Sequence, residues 1–120
     1  MGKFILGFTC CLCLCLSSDA QHLAAYNDFQ DRFIVFDRGE KKIIEYQEVQ
    51  SFQIGANLIA YIDYADNFKV YENGKVKTLE IGGVRNYKVT NYLLAYSMTD
   101  ILKVYDNGKT KTLSNNTTEF

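Results

Sequence analysis

Two pairs of aspartates recur at one spacing in this chain, Asp28 with Asp31 and Asp63 with Asp66. Carboxylate oxygens gathered in this way are the ligands Ca2+ prefers, so these four residues are the candidate metal ligands and Ca2+ the one candidate cofactor. The same residues are also what turns favour, because an Asp side chain accepts hydrogen bonds from nearby backbone amides. The turn reading carries more weight, since Met98 and Asp100 stand at the corresponding place farther along.

His22 is the single histidine, and all four cysteines (Cys10, Cys11, Cys13 and Cys15) sit near the start among leucines. A zinc site or a Ser-His or Cys-His nucleophile therefore cannot be assembled. A paired-carboxylate hydrolase stays formally open, but nothing selects two acids from the 14 Asp and Glu present. No catalytic residue is assigned, and the chain reads as non-catalytic.

Lys69, Lys75 and Lys77 recur as Lys103, Lys109 and Lys111. Such a stripe, interleaved with tyrosines, is one way to bind a polyanion. The formal net charge is −1, which argues against nucleic acid, and lysine on an exposed edge strand also blocks edge-to-edge pairing. Tyr26, Tyr61 and Tyr96 follow Ala25, Ala60 and Ala95; they read as packing between repeats, the alanines permitting close approach.

A repeat of about 35 residues positions all of these. Shifted by that length, Leu23–Glu45 matches Leu58–Glu80 at ten of 23 positions, too many for chance. FKVYENGKVKTLE (68–80) then matches LKVYDNGKTKTLS (102–114) at nine of 13. FQIGANLIAY (52–61) matches YKVTNYLLAY (87–96), so one residue is lost in a turn between Tyr96 and Leu102. A full unit reads as four short strands, for example Phe52–Ile54, Leu58–Ile62, Phe68–Tyr71 and Val76–Leu79. The second is apolar on both faces, as a strand between two layers must be. Asn73-Gly74 and Asn107-Gly108 supply the positive φ values of tight hairpins. No stretch shows a helical period.

Before the repeats, Lys3 precedes 13 largely apolar residues (4–16) and the polar Ser17-Ser18-Asp19-Ala20. That order is a secretory signal peptide with cleavage expected before Gln21, and the apolar run is shorter than a membrane span needs. The expected organisation is a signal over 1–20 and a repeat region over 21–120, with units at about 23–45, 52–80 and 87–114. The product is then secreted, periplasmic or held in the cell envelope, with no membrane span after cleavage. Overlapping N-x-T sequons at Asn115 and Asn116 matter only where the host glycosylates exported proteins.

Four antiparallel strands per repeat, apolar on both sheet faces, describe a unit that needs neighbours stacked on it. Through NLIAYID (57–63), FKVYENGK (68–75) and LKVYDNGK (102–109), the chain resembles secreted bacterial β-propeller repeat proteins of the broad WD40-like class. It lacks their Trp-Asp signature, and the likeness implies no substrate. The fold class expected is thus all-β, about three consecutive propeller-like blades of three, four and four strands. Closed propellers have typically 4–8 blades, so the expectation is an incomplete propeller, the N-terminal part of a longer one. If the chain is complete, self-association is the alternative. The function expected is an exported non-catalytic module binding a protein or a glycan. The alternatives are the first part of a propeller enzyme acting on carbohydrate, or an envelope structural protein without a small ligand.

Overall fold

The computed structural model describes residues 22–115, and the expected signal segment lies outside them. Three antiparallel sheets follow one another along the chain. The first is β1 (Leu23–Asn27), β2 (Phe33–Asp37) and β3 (Glu40–Glu45). The second is β4 (Ser51–Ile54), β5 (Leu58–Ile62), β6 (Asn67–Glu72) and β7 (Lys75–Ile81). The third is β8 (Asn86–Val89), β9 (Leu93–Met98), β10 (Ile101–Asp106) and β11 (Lys109–Asn115). Each sheet is a simple meander in chain order, so the expected count of three, four and four strands holds for the described residues.

The tight hairpins follow from local chemistry. Asn73 (φ 54) with Gly74 (φ 78), and Asn107 (φ 55) with Gly108 (φ 84), both put two central residues in the left-handed region. That is the type I′ geometry whose twist suits flanking strands. The first sheet does the same with Arg38 (φ 54) and Gly39 (φ 83), although arginine is disfavoured there; the register of the strands fixes that turn.

Each outer hairpin also carries a bulge at the same place. The register slips between Phe33 and Ile34, between Phe68 and Lys69, and between Leu102 and Lys103. The slip leaves Ile44, Leu79 and Leu113 unpaired and sets Glu45 opposite Phe33 and Glu80 opposite Phe68. A bulge re-aims the side chains beside it, and these two glutamates reach the next sheet.

The core lies between sheets. Leu23, Phe33 and Val35 of the first sheet meet Ile59, Tyr61 and Tyr71 of the second. Leu58, Ala60, Phe68 and Val70, on the other face of that second sheet, meet Leu94, Tyr96 and Tyr105 of the third. The middle sheet thus loses both faces to its neighbours, which explains the two-sided apolar sequence of β5. At the inner edge β4 and β8 approach closely. A side chain at Gly55 would strike the Thr90 carbonyl and Val89. The Gln53 amide ties the strands, donating to Tyr87 O and accepting from Val89 N, each at 2.9 Å.

Candidate functional site

The most repeated chemistry in the molecule is structural. Tyr61 Oη donates to Glu45 Oε2 at 2.7 Å, and one repeat later Tyr96 Oη donates to Glu80 Oε2 at 2.7 Å. Both rings are fully buried, each 4.9 Å from the phenylalanine of the preceding sheet, Phe33 or Phe68. Lys69 and Lys103 complete the pattern, reaching Glu45 at 2.9 Å and Glu80 at 2.8 Å. A second rung lies nearer the hairpins, where Tyr71 donates to Asp37 and Tyr105 to Glu72, both at 2.7 Å.

Burial first, and then the adjacent carboxylate, hold all four phenols above their ordinary range; Tyr71 and Tyr105 are each pushed up to about 12. The reading of the recurring tyrosines as packing between repeats holds for Tyr61 and Tyr96, whereas Tyr26 is 39% exposed, its ring beside Phe36 of its own sheet. The glutamates went unremarked there, although Glu45 and Glu80 are identical across the repeat. Lys69 and Lys103 are not edge residues: they lie on third strands, partly buried between sheets. Lys77 also crosses to the third sheet, donating to Gly108 O at 2.8 Å with its ammonium 5.6 Å from the Tyr105 ring. Lys75, Lys109 and Lys111 stay on exposed outer strands.

The paired aspartates build turns. Asp28 Oδ1 accepts from the amides of Gln30 and Arg32 at 2.9 Å each, and Oδ2 from Arg32 Nε at 2.9 Å. These bonds, led by the Arg32 side chain, lower the carboxyl to about 2. Asp63 Oδ1 accepts from the amides of Ala65 and Asn67 at 2.9 Å, and Oδ2 from Lys69 at 2.9 Å. Burial alone would raise the Asp63 carboxyl, but Lys69 and Asn67 outweigh it and hold the group below its ordinary value. Lys69 is correspondingly raised: its own burial is outweighed by Asp63 and Glu45. Asp31 (φ 61) and Asp66 (φ 73) supply the left-handed residue of each turn, a role that Asp tolerates. The structure therefore keeps each pair in its own turn, with Asp28 and Asp63 turned to donors of the protein itself.

These turns lie at one end of the sheets, together with the connections from β3 to β4 and from β7 to β8. Register places them there, since Asn67 pairs with Ile81 and Phe33 with Glu45. This rim holds the most exposed large apolar side chains, with Phe29 fully open, Ile81 at 87%, Tyr46 at 74% and Tyr64 at 65%. Between the first two sheets the rim is hollowed into a cleft of about 310 Å3, lined by Gln30, Asp31, Tyr46, Gln47, Glu48 and Tyr64. Of the six, Asp31 was singled out from the sequence, as a candidate Ca2+ ligand, and the other five were not. The available signal is that Phe29 and Tyr64, aromatic at the tip of a polar turn, occupy equivalent repeat positions.

The family model described as a 10-bladed beta propeller domain matches residues 17–120. Among solved structures, the N-terminal domain of Nup159 superposes with a TM-score of 0.54 at 15% identity, over 77% of this chain and 27% of that one. A structure of S. cerevisiae Dbp5 bound to Nup159, Gle1, IP6 and ADP superposes with a TM-score of 0.54 at 14% identity, over 83% and 28%. The chain thus spans little more than a quarter of either neighbour, and at this identity the likeness is one of fold. No curated protein matches the chain.

Proposed function

The chain belongs to the family of the 10-bladed beta propeller domain, and from that premise we propose that it is an exported, non-catalytic module whose protein partner docks on the turn-bearing rim. One observation carries the reading: Phe29, Tyr46, Tyr64 and Ile81 are all exposed at the same end of the sheets, Phe29 and Tyr64 on turns closed by hydrogen bonds, Tyr46 on the connection from β3 to β4 and Ile81 at the end of β7. Interface hot spots are aromatic side chains presented on rigid supports, because burying them on contact costs little conformational freedom. A second support is that one structural neighbour is a complex with Nup159 among several proteins. Export rests on the order of charged, apolar and small residues over 1–20.

The test is a parallel screen on arrays of the host's exported proteins and surface glycans. Three probes are compared: the chain, a Phe29→Ser/Tyr64→Ser variant and a Lys109→Ser/Lys111→Ser variant. The expected outcome is a protein bound by the chain and the lysine variant and lost with the rim variant. Binding confined to glycans, or lost with the lysines, would replace this reading. N-terminal sequencing of the exported product, expected to begin at Gln21, tests the export half.

A further inference from the structure

The rim cleft has a definite chemical character. Its six lining residues bring two carboxylates (Asp31 and Glu48), two phenol rings (Tyr46 and Tyr64) and two primary amides (Gln30 and Gln47), and no cation. All six are exposed, and among the described residues none of their side chains has a hydrogen-bonded or ionic partner. Two cations of the flanking elements are committed elsewhere. Arg32 is held by Asp28 at 2.7 Å, and Lys69 by Glu45 and Asp63 at 2.9 Å each. The floor is fixed: the turn carrying Gln30 and Asp31 is closed by Asp31 N donating to Asp28 O at 3.1 Å. Tyr64 stands on the matching turn of the second sheet, where Asp66 N donates to Asp63 O at 3.1 Å.

We propose that this cleft receives a basic side chain of the protein partner, arginine in particular; the inference rests on the rim being the docking surface. A guanidinium is planar and weakly hydrated, so it stacks on phenol faces while its forked donors meet carboxylates. Charge-assisted bonds to Asp31 and Glu48 supply the stronger part of the recognition. The two glutamine oxygens accept the donors that remain. At about 310 Å3 the cleft is at the small end of ligand pockets, a size suited to one side chain rather than a folded element.

The test is a titration of the 15N-labelled full chain with acetyl-Gly-Arg-Gly-amide and with its citrulline counterpart, which keeps the shape and loses the charge. The arginine peptide is expected to shift the amides of Gln47, Glu48, Tyr64 and Ala65 saturably, and the citrulline peptide to bind about tenfold more weakly. Tyr46→Ala and Tyr64→Ala each weaken binding about two- to fivefold. Glu48→Gln weakens it and flattens its salt dependence. All three residues are exposed, and unchanged spectra elsewhere check that the variants fold. Absent shifts, equal response to both peptides, or maltotriose moving these amides while the arginine peptide does not, would overturn the inference. If the arginine peptide fails while the Phe29→Ser/Tyr64→Ser variant still loses its protein partner, this inference falls and rim docking stands.

Discussion

The second and third sheets turn the same kinds of residue in the same direction, yet only one set is core. Leu58, Ala60, Phe68 and Val70 are fully buried, because β9 and β10 lay Leu94, Tyr96 and Tyr105 against them. One repeat later Leu93, Ala95, Leu102 and Val104 hold the equivalent positions. There Leu93 is 43% exposed, and a largely apolar depression of about 320 Å3 opens over Ala95 and Val104. Each repeat therefore encodes a sheet that is apolar on both sides, and the neighbour decides which side becomes interior.

Truncating the same repeat position in the two settings breaks this comparison most sharply. Leu58→Ala should cost about 2–5 kcal/mol, as a fully buried leucine does, whereas Leu93→Ala should cost less than about 1 kcal/mol; denaturant midpoints of both variants measure the difference. The two covered interfaces can then be set against each other. Glu80→Ala strips the acceptor from both Tyr96 and Lys103, while Glu45→Ala leaves Lys69 with Asp63. The expected losses are about 2–3 kcal/mol for Glu80→Ala and about 1–2 kcal/mol for Glu45→Ala, read by the same midpoints.

Alkaline titration sharpens the picture of the second rung. Tyr71 and Tyr105 are raised in the folded state to about 12, against about 10 when unfolded. Their contribution is therefore fully present below pH 10 and is lost as pH climbs from 10 toward 12. By pH 11 the loss is about 1 kcal/mol for each, and Tyr71→Phe should remove one share of that slope. The smallest expected effect is that of Ca2+. Because Asp28 and Asp63 are turned to the protein's own donors, added Ca2+ should leave the thermal midpoint where it is; a concentration-dependent rise would restore the four aspartates as ligands.

Much of the architecture was legible because the repeat is written in residue types with one dominant conformational use. Asn-Gly fixed two hairpins, alternating and two-sided apolar runs fixed the strands, and the recurring tyrosines marked the inter-sheet seam. What stayed hidden depends on register. The bulges at Ile44 and Leu79, which bring Glu45 and Glu80 to the tyrosines, have no local signature. Lys69 looked like its neighbours Lys75 and Lys77 in sequence, yet its strand position sends it between sheets. The rim cleft was the least visible part, since Gln30, Tyr46 and Tyr64 come from three connections that meet only after two sheets have stacked. The Asx turns show the converse, for the partners of Asp28 and Asp63 all lie within seven residues of chain.

Residue-resolved hydrogen exchange under native conditions tests the stacked arrangement most directly. Sheets packed in a row leave the middle one covered on both faces, so its amides should open only with the greatest free energy. The slowest exchange is expected in β5 and β6, with β9 and β10 next and the outer strand β11 fastest. Equal protection across the three sheets, or slowest exchange in the third, would contradict the account.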